Sequence, residues 1–357
     1  MSSVPLERPV LITGGCGFIG CNLADALAAR GSKIVCFDNL SRAGVRENAQ
    51  WLKSRHGDLV SIITGDIRDA ITVIEAVRSA SAVLHLAAQV AVTGSLQDPV
   101  EDFEINARGT LNVLEAVRVH NHSAPMIFAS TNKVYGRLVR DSDIKQIGNR
   151  HVPADPRLAK GVGEDAPLDF YSPYGCSKGA ADQYVRDYAR VYGMNTVVLR
   201  MSCIYGPRQF GTEDQGWLAH FMLRSILRQP LTIFGDGLQV RDALHVSDAV
   251  RAWIAILENI EAVRGGVFNL GGGLENAISL LDLIGVIASM QGAAPSLSFE
   301  GWRPGDQPWY VSRLEALSSA VGWRPEIPLR EGLHSLLQWL EGRFSPAGAN
   351  SPRELRV

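Results

Sequence analysis

Short runs of apolar residues alternate along this chain with stretches whose apolar positions recur every three or four residues. The runs at 10–13, 33–37, 59–64, 82–86, 126–129 and 195–199 are too short for buried helices. Most end in Gly, Ala, Asn or Ser, so they read as buried strands. The stretches at 22–30, 102–120 and 179–192 carry the helical period. Strand and helix alternate, which predicts α/β architecture with a parallel, doubly wound sheet whose ligand lies at the carboxyl ends of the strands.

The alternation breaks at 137–171, a long polar segment rich in Pro, Gly, Asp and Arg. Its length predicts a substrate-side flap or an excursion into an interface. Beyond Arg200 the composition shifts. Helices are expected at 217–228, 246–257 and 279–290, and strand-like runs at 231–234 and 266–270, with 329–339 closing the fold. The division expected is therefore 1–200 for the sheet domain and 201–343 for a smaller C-terminal α/β substrate lobe interleaved with it. The Pro/Ser/Ala/Arg-rich tail at 344–357 is expected to be disordered.

Between the first strand and its helix stands Gly14-Gly15-Cys16-Gly17-Phe18-Ile19-Gly20. Glycines there let the backbone turn sharply and approach a pyrophosphate at the helix N-terminus. The second strand ends in Asp38-Asn39, and an acid at that place bonds ribose hydroxyls and repels a 2′-phosphate. Strand, glycine turn, helix and acid together form a Rossmann-type NAD site, with Arg42 nearby as the one residue that could accept the extra phosphate of NADP. Asp66 and Ile67 are placed to meet the adenine. Asp69 reads equally well as a helix cap. Leu86, Ala87, Ala88 and Gln89, at the end of the fourth strand, and Asn106 complete the expected cofactor set.

Tyr174 and Lys178 stand four residues apart, on one face of a predicted helix. A free tyrosine has a pKa of about 10, and a lysine one turn away favours the phenolate, which would bring Tyr174 toward neutral pH as an acid and base. Taken alone, the pair reads just as readily as surface residues of an ordinary helix. Thr131 lies where the fifth strand ends, at the expected ligand edge. Arg208, Arg241 and Arg303 stand in glycine-containing loops, which suit phosphate recognition, although any one of them alone reads as a solvated surface arginine. His245 reads as a structural residue at a helix start and His85 as a core residue.

Composition narrows the picture. Of 357 residues 46% are hydrophobic and 20% charged, and the formal net charge is −2. That balance gives no footprint for nucleic acid or an anionic membrane. The five cysteines show no metal-ligand or disulfide spacing, so no metal is expected and reduced thiols in a cytoplasmic protein are.

With these motifs in place the chain resembles, from Val10 to about Trp339, an extended short-chain dehydrogenase/reductase of the NAD-dependent nucleotide-sugar epimerase and dehydratase group. Ser130-Thr-Asn-Lys-Val-Tyr-Gly136, Ser172-Pro-Tyr-Gly-Cys-Ser-Lys178, Arg208-Gln-Phe, Asp214-Gln-Gly-Trp217 and Gln239-Val-Arg-Asp242 are similar to the CDP-tyvelose (CDP-paratose) 2-epimerase subgroup. The resemblance implies that Thr131, Tyr174 and Lys178 are catalytic. It implies a C-terminal lobe that holds a nucleotide-diphosphate sugar, CDP favoured, with Asn132, Lys133, Arg208, Gln209, Gln239, Arg241 and Arg303 as its contacts. It also implies a homodimer or homotetramer built on the helices at 110–120 and 181–192. The group's sugar dehydratases carry Asp-Glu where this chain has Asn132-Lys133, so the elimination acid is missing and hydride chemistry without elimination remains. For Lys133, contact with the sugar and a solvated charge are equally open. The alternatives are a 4-epimerase of UDP-sugars, or another oxidoreductase of nucleotide sugars, using the same three residues. A non-catalytic NAD-binding regulator is a third reading, and would be expected to have lost the tyrosine or the lysine.

Overall fold

The computed structural model describes residues 8–344. Seven parallel strands form the main sheet: β1 (Val10–Thr13), β2 (Ile34–Asp38), β3 (Val60–Thr64), β4 (Ala82–His85), β5 (Met126–Thr131), β6 (Thr196–Met201) and β7 (Val267–Leu270). Their order is β7-β6-β5-β4-β1-β2-β3. The chain builds outward from β1 through β2 and β3, then crosses to β4 on the other side of β1. The order therefore reverses between β1 and β4, and a crevice opens there beyond the carboxyl ends. Thr13 lies opposite both Phe37 and His85 in the ladder, so the glycine turn that follows it sits at the reversal.

Helices cover both faces and bury the sheet's apolar residues. The first, Phe18–Ala29, begins four positions before the expected start at Asn22 because the glycine turn feeds directly into it. The stretch expected as one helix at 102–120 is three pieces. These are Pro99–Phe103 capped by Asp98, a π-helical turn Glu104–Arg108, and the α-helix Gly109–His120. The wider turn coincides with the close approach of Ile67, whose side chain would lie 2.6 Å from a Cβ on Gly109.

The boundary near residue 200 does not separate the layers. Strand β7 and the helix Val246–Glu258 come from the later part of the chain and complete the main sheet and its core, where Trp253 is fully buried. The second lobe is built from Cys203–Tyr205, Val240–His245, Ala277–Ser279 and Trp309–Tyr310 in one small sheet, with Leu231–Phe234 paired to Leu297–Glu300 beside it. Helices Trp217–Ile226, Leu280–Gln291 and Leu329–Phe344 pack Leu218, Met222, Leu283, Leu333 and Leu336 against these strands. Phe344 thus ends a helix, while the rest of the tail, 345–357, lies outside the described residues.

The 137–171 segment is not a flap over the ligand. It forms a hairpin, Ile144–Ile147 with Arg150–Pro153, and is fastened to the second lobe. His151 N donates to Leu238 O at 2.9 Å, Arg150 pairs with Asp282, and Val162 N donates to Val311 O at 2.7 Å. Glu164 Oε1 accepts from Asn269 N at 2.7 Å, which ties the segment to β7 as well. A strap with that many polar anchors keeps clear of both large cavities. Among the described residues no helix is long and apolar enough to cross a membrane.

Candidate active site

Two cavities meet at Tyr174. The first, of about 460 Å³, follows the carboxyl ends of the strands from the glycine turn. Gly14, Gly17, Phe18, Ile19, Gly20, Asp38, Asn39, Asp66, Ile67, Leu86, Ala87, Ala88 and Gln89 line it, as do Tyr174 and Lys178. Its floor admits no side chain. Gly14 has φ +67° and a Cβ there would lie 2.8 Å from Ala87 N, while one on Gly20 would lie 2.2 Å from Gly14 O. Asp38 braces the turn, its two oxygens accepting from Cys16 N at 3.0 Å and Leu40 N at 2.9 Å. Burial raises its carboxyl above the usual range, against the pull of those amides. Asp66 is held well charged, at about 2, by the guanidinium of Arg68. Asn48, which no sequence motif marks, also lines this cavity, and its buried Oδ1 has no partner. A cradle closed to side chains, an acid at the second strand and an unsatisfied buried acceptor fit a dinucleotide.

Two expected residues are placed differently. Asn106 is 1% exposed and lies behind the cavity wall. Its Oδ1 accepts from Gln89 N at 2.9 Å and its amide donates to Ser177 Oγ at 3.1 Å, so it braces the wall without lining it. Arg208 lines the first cavity, not the second, because its guanidinium lies 4.0 Å over the Trp51 ring. An aromatic face and a backbone held at φ +73° turn it away from the substrate side.

The second cavity, of about 360 Å³, lies between the sheet and the second lobe. Thr131, Asn132, Lys133, Gln209, Gln239, Arg241 and Arg303 line it, and Tyr174 forms its boundary with the first. Lys133 is no solvated charge. Its Nζ donates to Gly305 O at 3.1 Å and lies 3.4 Å from Asp306, which also takes Arg241 Nη2 at 2.6 Å. Burial would raise the Asp306 carboxyl, but the two cations outweigh it and hold it below the usual range. Arg303 donates to Glu213 O at 2.9 Å and lies 3.7 Å over the Phe234 ring. Thr93, Phe234 and Asp306 join the lining without a sequence motif to mark them. Asp306 alone had a signal, as a carboxylate three residues from Arg303 in the same loop. His245 caps its helix through Ser247 N, and His85 is buried between Thr13 and Thr110, both in the structural roles read from sequence.

At the meeting point, burial pushes the Tyr174 hydroxyl up to about 12, and the hydrogen bond from Thr131 only partly offsets this. Burial brings Lys178 down to about 7, against Asp182 and Asp102, with its Nζ donating to Ala129 O at 2.6 Å. The chain by itself therefore does not carry Tyr174 to neutral pH as the helical spacing suggested. Burial is the largest influence on both groups, and neither stands among the charges that shift the other. A stability consequence follows for protein stripped of cofactor. Folded Lys178 releases its proton near pH 7, whereas the unfolded chain keeps it to the ordinary value of 10.5. Between those values the unfolded state binds more protons, so stability climbs as pH rises from about 7 toward 10. Lys178→Met is expected to flatten that climb, read as urea midpoints across the pH range.

A buried ion pair fixes the helix that carries Tyr174 and Lys178 to the sheet. Arg200 and Asp182 are 2% and 0% exposed and meet at 2.9 Å, and Asp182 also accepts from Ser130 Oγ at 2.7 Å, one residue before Thr131.

A Rossmann-type sheet, a glycine cradle and a Thr/Tyr/Lys cluster between two cavities define a dinucleotide-dependent enzyme acting on a second ligand. Residues 10–271 match the NAD dependent epimerase/dehydratase family, and the chain belongs to it. It is 41% identical to the CDP-paratose 2-epimerase of Salmonella typhi, over 92% of this chain and 98% of that enzyme. It is 31% identical to a dTDP-glucose 4,6-dehydratase of Mycolicibacterium smegmatis, over 94% of each chain. Among solved structures it is similar to the NAD complex of UDP-glucose 4-epimerase from Thermus thermophilus. That similarity has a TM-score of 0.79 and 32% identity, over 94% of this chain and 99% of the other. The cofactor of the family is NAD.

Proposed function

We propose that the protein inverts carbon 2 of a CDP-linked deoxyhexose through a transient 2-keto sugar, in the cytoplasm. The observation that carries this reading is the 41% identity to CDP-paratose 2-epimerase across nearly the whole length of both chains. The residues at 132 and 133 support it against the dehydratase reading, because Asn and Lys cannot supply the acid that elimination of water requires. NAD, when bound in the first cavity, supplies a reversible hydride acceptor. Tyr174, once ionised, takes the proton of the carbon-2 hydroxyl onto its phenolic oxygen and later returns it to the carbon-2 oxygen of the inverted sugar. Thr131 donates to the sugar oxygen and shares the charge that builds there. Lys178 stands one helical turn from the tyrosine, its charged form favoured by Asp182 and Asp102 and disfavoured by burial. Arg241 and Arg303 hold the diphosphate, and Asn132 and Lys133 meet the sugar ring. The homodimer or homotetramer of this reading would cover Tyr184, Val191 and Tyr192, apolar residues left 48%, 62% and 44% exposed on the helix Pro173–Tyr192.

The test is proton NMR of CDP-paratose, CDP-glucose, UDP-glucose and GDP-mannose in deuterium oxide, without added NAD. A carbon-2 epimer free of solvent deuterium at that carbon is expected from a CDP-sugar. Deuterium at the inverted carbon would overturn the hydride route, and inversion at carbon 4 would overturn the assigned position.

A further inference from the structure

Thr131 ends strand β5 of the main sheet, and the residues just after it are fastened to a loop of the second lobe, 303–307. Asn132 Nδ2 donates to Gln307 Oε1 at 3.3 Å, and Gln307 Nε2 donates in turn to Gly136 O. Asn132 and Gln307 are 6% and 1% exposed, so this tie is packed on both sides. Lys133 Nζ donates to Gly305 O at 3.1 Å and lies 3.4 Å from Asp306 Oδ1. Gly305, at φ +75°, sits close against the sheet domain, where a Cβ would lie 3.4 Å from Val92 and 3.5 Å from Ser172.

The loop also organises the cations of the second cavity. Arg303 opens it. Asp306 Oδ1 accepts from Gln307 N at 2.9 Å and from Arg241 Nη2 at 2.6 Å. One carboxylate oxygen therefore gathers a cation from each side, Lys133 from the sheet domain and Arg241 from the strand Val240–His245. All four residues line the cavity. Two cations around one carboxylate leave a net positive charge there. With a neutral side chain at 133, Arg241 would be no more than neutralised by Asp306. An ammonium has three donors, and Lys133 spends two on the loop, which leaves one for a ligand.

We infer that Lys133 is a positioning residue for the diphosphate of the substrate. It ties the loop 303–307 to the strand end that carries Thr131, and so sets Arg241 and Arg303 at a fixed reach from Thr131 and Tyr174. This rests on reading the second cavity as a nucleotide-sugar site. It goes beyond a contact with the sugar ring, because the part of the ligand it governs is held by the arginines and need not touch Lys133.

Calorimetric titration of the NAD-loaded protein with CDP, which has the diphosphate and no sugar, tests it. Lys133→Met keeps the apolar stem and removes the charge. It is expected to weaken CDP about 10-fold, the effect of losing bonds to a charged group, while the NAD released on denaturation matches wild type. Lys133→Gln is expected to show the same loss, and serves if the Met variant does not retain NAD. In an Asp306→Asn background, Lys133→Met is expected to cost no more than about threefold, because the carboxylate through which the lysine holds the loop is already gone. Wild-type affinity for CDP in both position-133 variants, with a loss confined to the CDP-sugar, would overturn the inference and leave Lys133 a sugar contact alone. A full 10-fold loss in the Asp306→Asn background would also overturn it, since Lys133 would then act on the ligand independently of the loop. In either case carbon-2 inversion by wild-type protein keeps the functional reading in place. Failure of wild-type protein to bind CDP would overturn the inference together with that reading.

Discussion

Tyr174→Phe is expected to lower sugar epimerisation by a factor of about 10³, within the range a positioned acid–base group contributes, while the protein keeps its NAD. The substitution removes one oxygen from a ring that stays packed, since Tyr174 is 8% exposed and its backbone N–H remains bound to Ser95 Oγ at 3.1 Å. The glycine cradle and Asp38 are untouched, so cofactor released on denaturation should match wild type. The lost oxygen is the one bonded by Thr131, on a residue that lines both cavities. Turnover within tenfold of wild type would assign the proton transfer to another group. Loss of NAD together with turnover would mean that the ring is a structural wall and not the acid and base.

The second large effect is on stability. Asp182→Ala strands the guanidinium of Arg200, which is 2% exposed and loses two of its bonds, those at 2.9 and 3.0 Å. Tyr135 OH, at 3.1 Å, remains as a neutral partner. An uncompensated buried charge of this kind costs about 3–5 kcal/mol, which urea unfolding reads directly. Removing both charges together, as Asp182→Leu with Arg200→Met, is expected to recover most of that loss, because the pair's attraction largely repays its own desolvation. The double variant should still lose activity. Ser130 would be left without its carboxylate acceptor beside Thr131, and Lys178 without one of the two carboxylates that support its charge. A double variant no more stable than Asp182→Ala would contradict this account.

Much of the first cavity is legible in the chain. Residues 14 and 20 need backbone room that only glycine gives, and Asp38 falls at a strand end set by the apolar run before it. These are local constraints, so they survive translation into sequence. Asn106 and Arg208 depart from their expected places for the opposite reason. Asn106 stands where a ligand contact is expected, but a π-helical turn and Gln89 turn it inward. Arg208 groups with the other loop arginines by composition, but Trp51, far away in the chain, captures it. Nothing in an isolated Gly-Pro-Arg loop announces that aromatic face. Thr93 and Asn48 are ordinary polar residues in ordinary stretches. They matter because their oxygens are buried without partners, which is a property of the packed chain.

The sequence by itself determined the architecture, the alternation of its first six strands with helices, the dinucleotide cradle and the one-turn spacing of Tyr174 and Lys178. Each follows from steric limits or helical and strand periods that act over a few residues. Only the tertiary structure decided that β7 comes from the second lobe and that the 137–171 segment is a strap. It also decided that Thr131 reaches Tyr174. It set the proton affinities of Tyr174 and Lys178 as well, raising the first and lowering the second against the expectation from their spacing. Desolvation acts through space, from every element packed around a group, and neighbours in the chain supply only a small part of it.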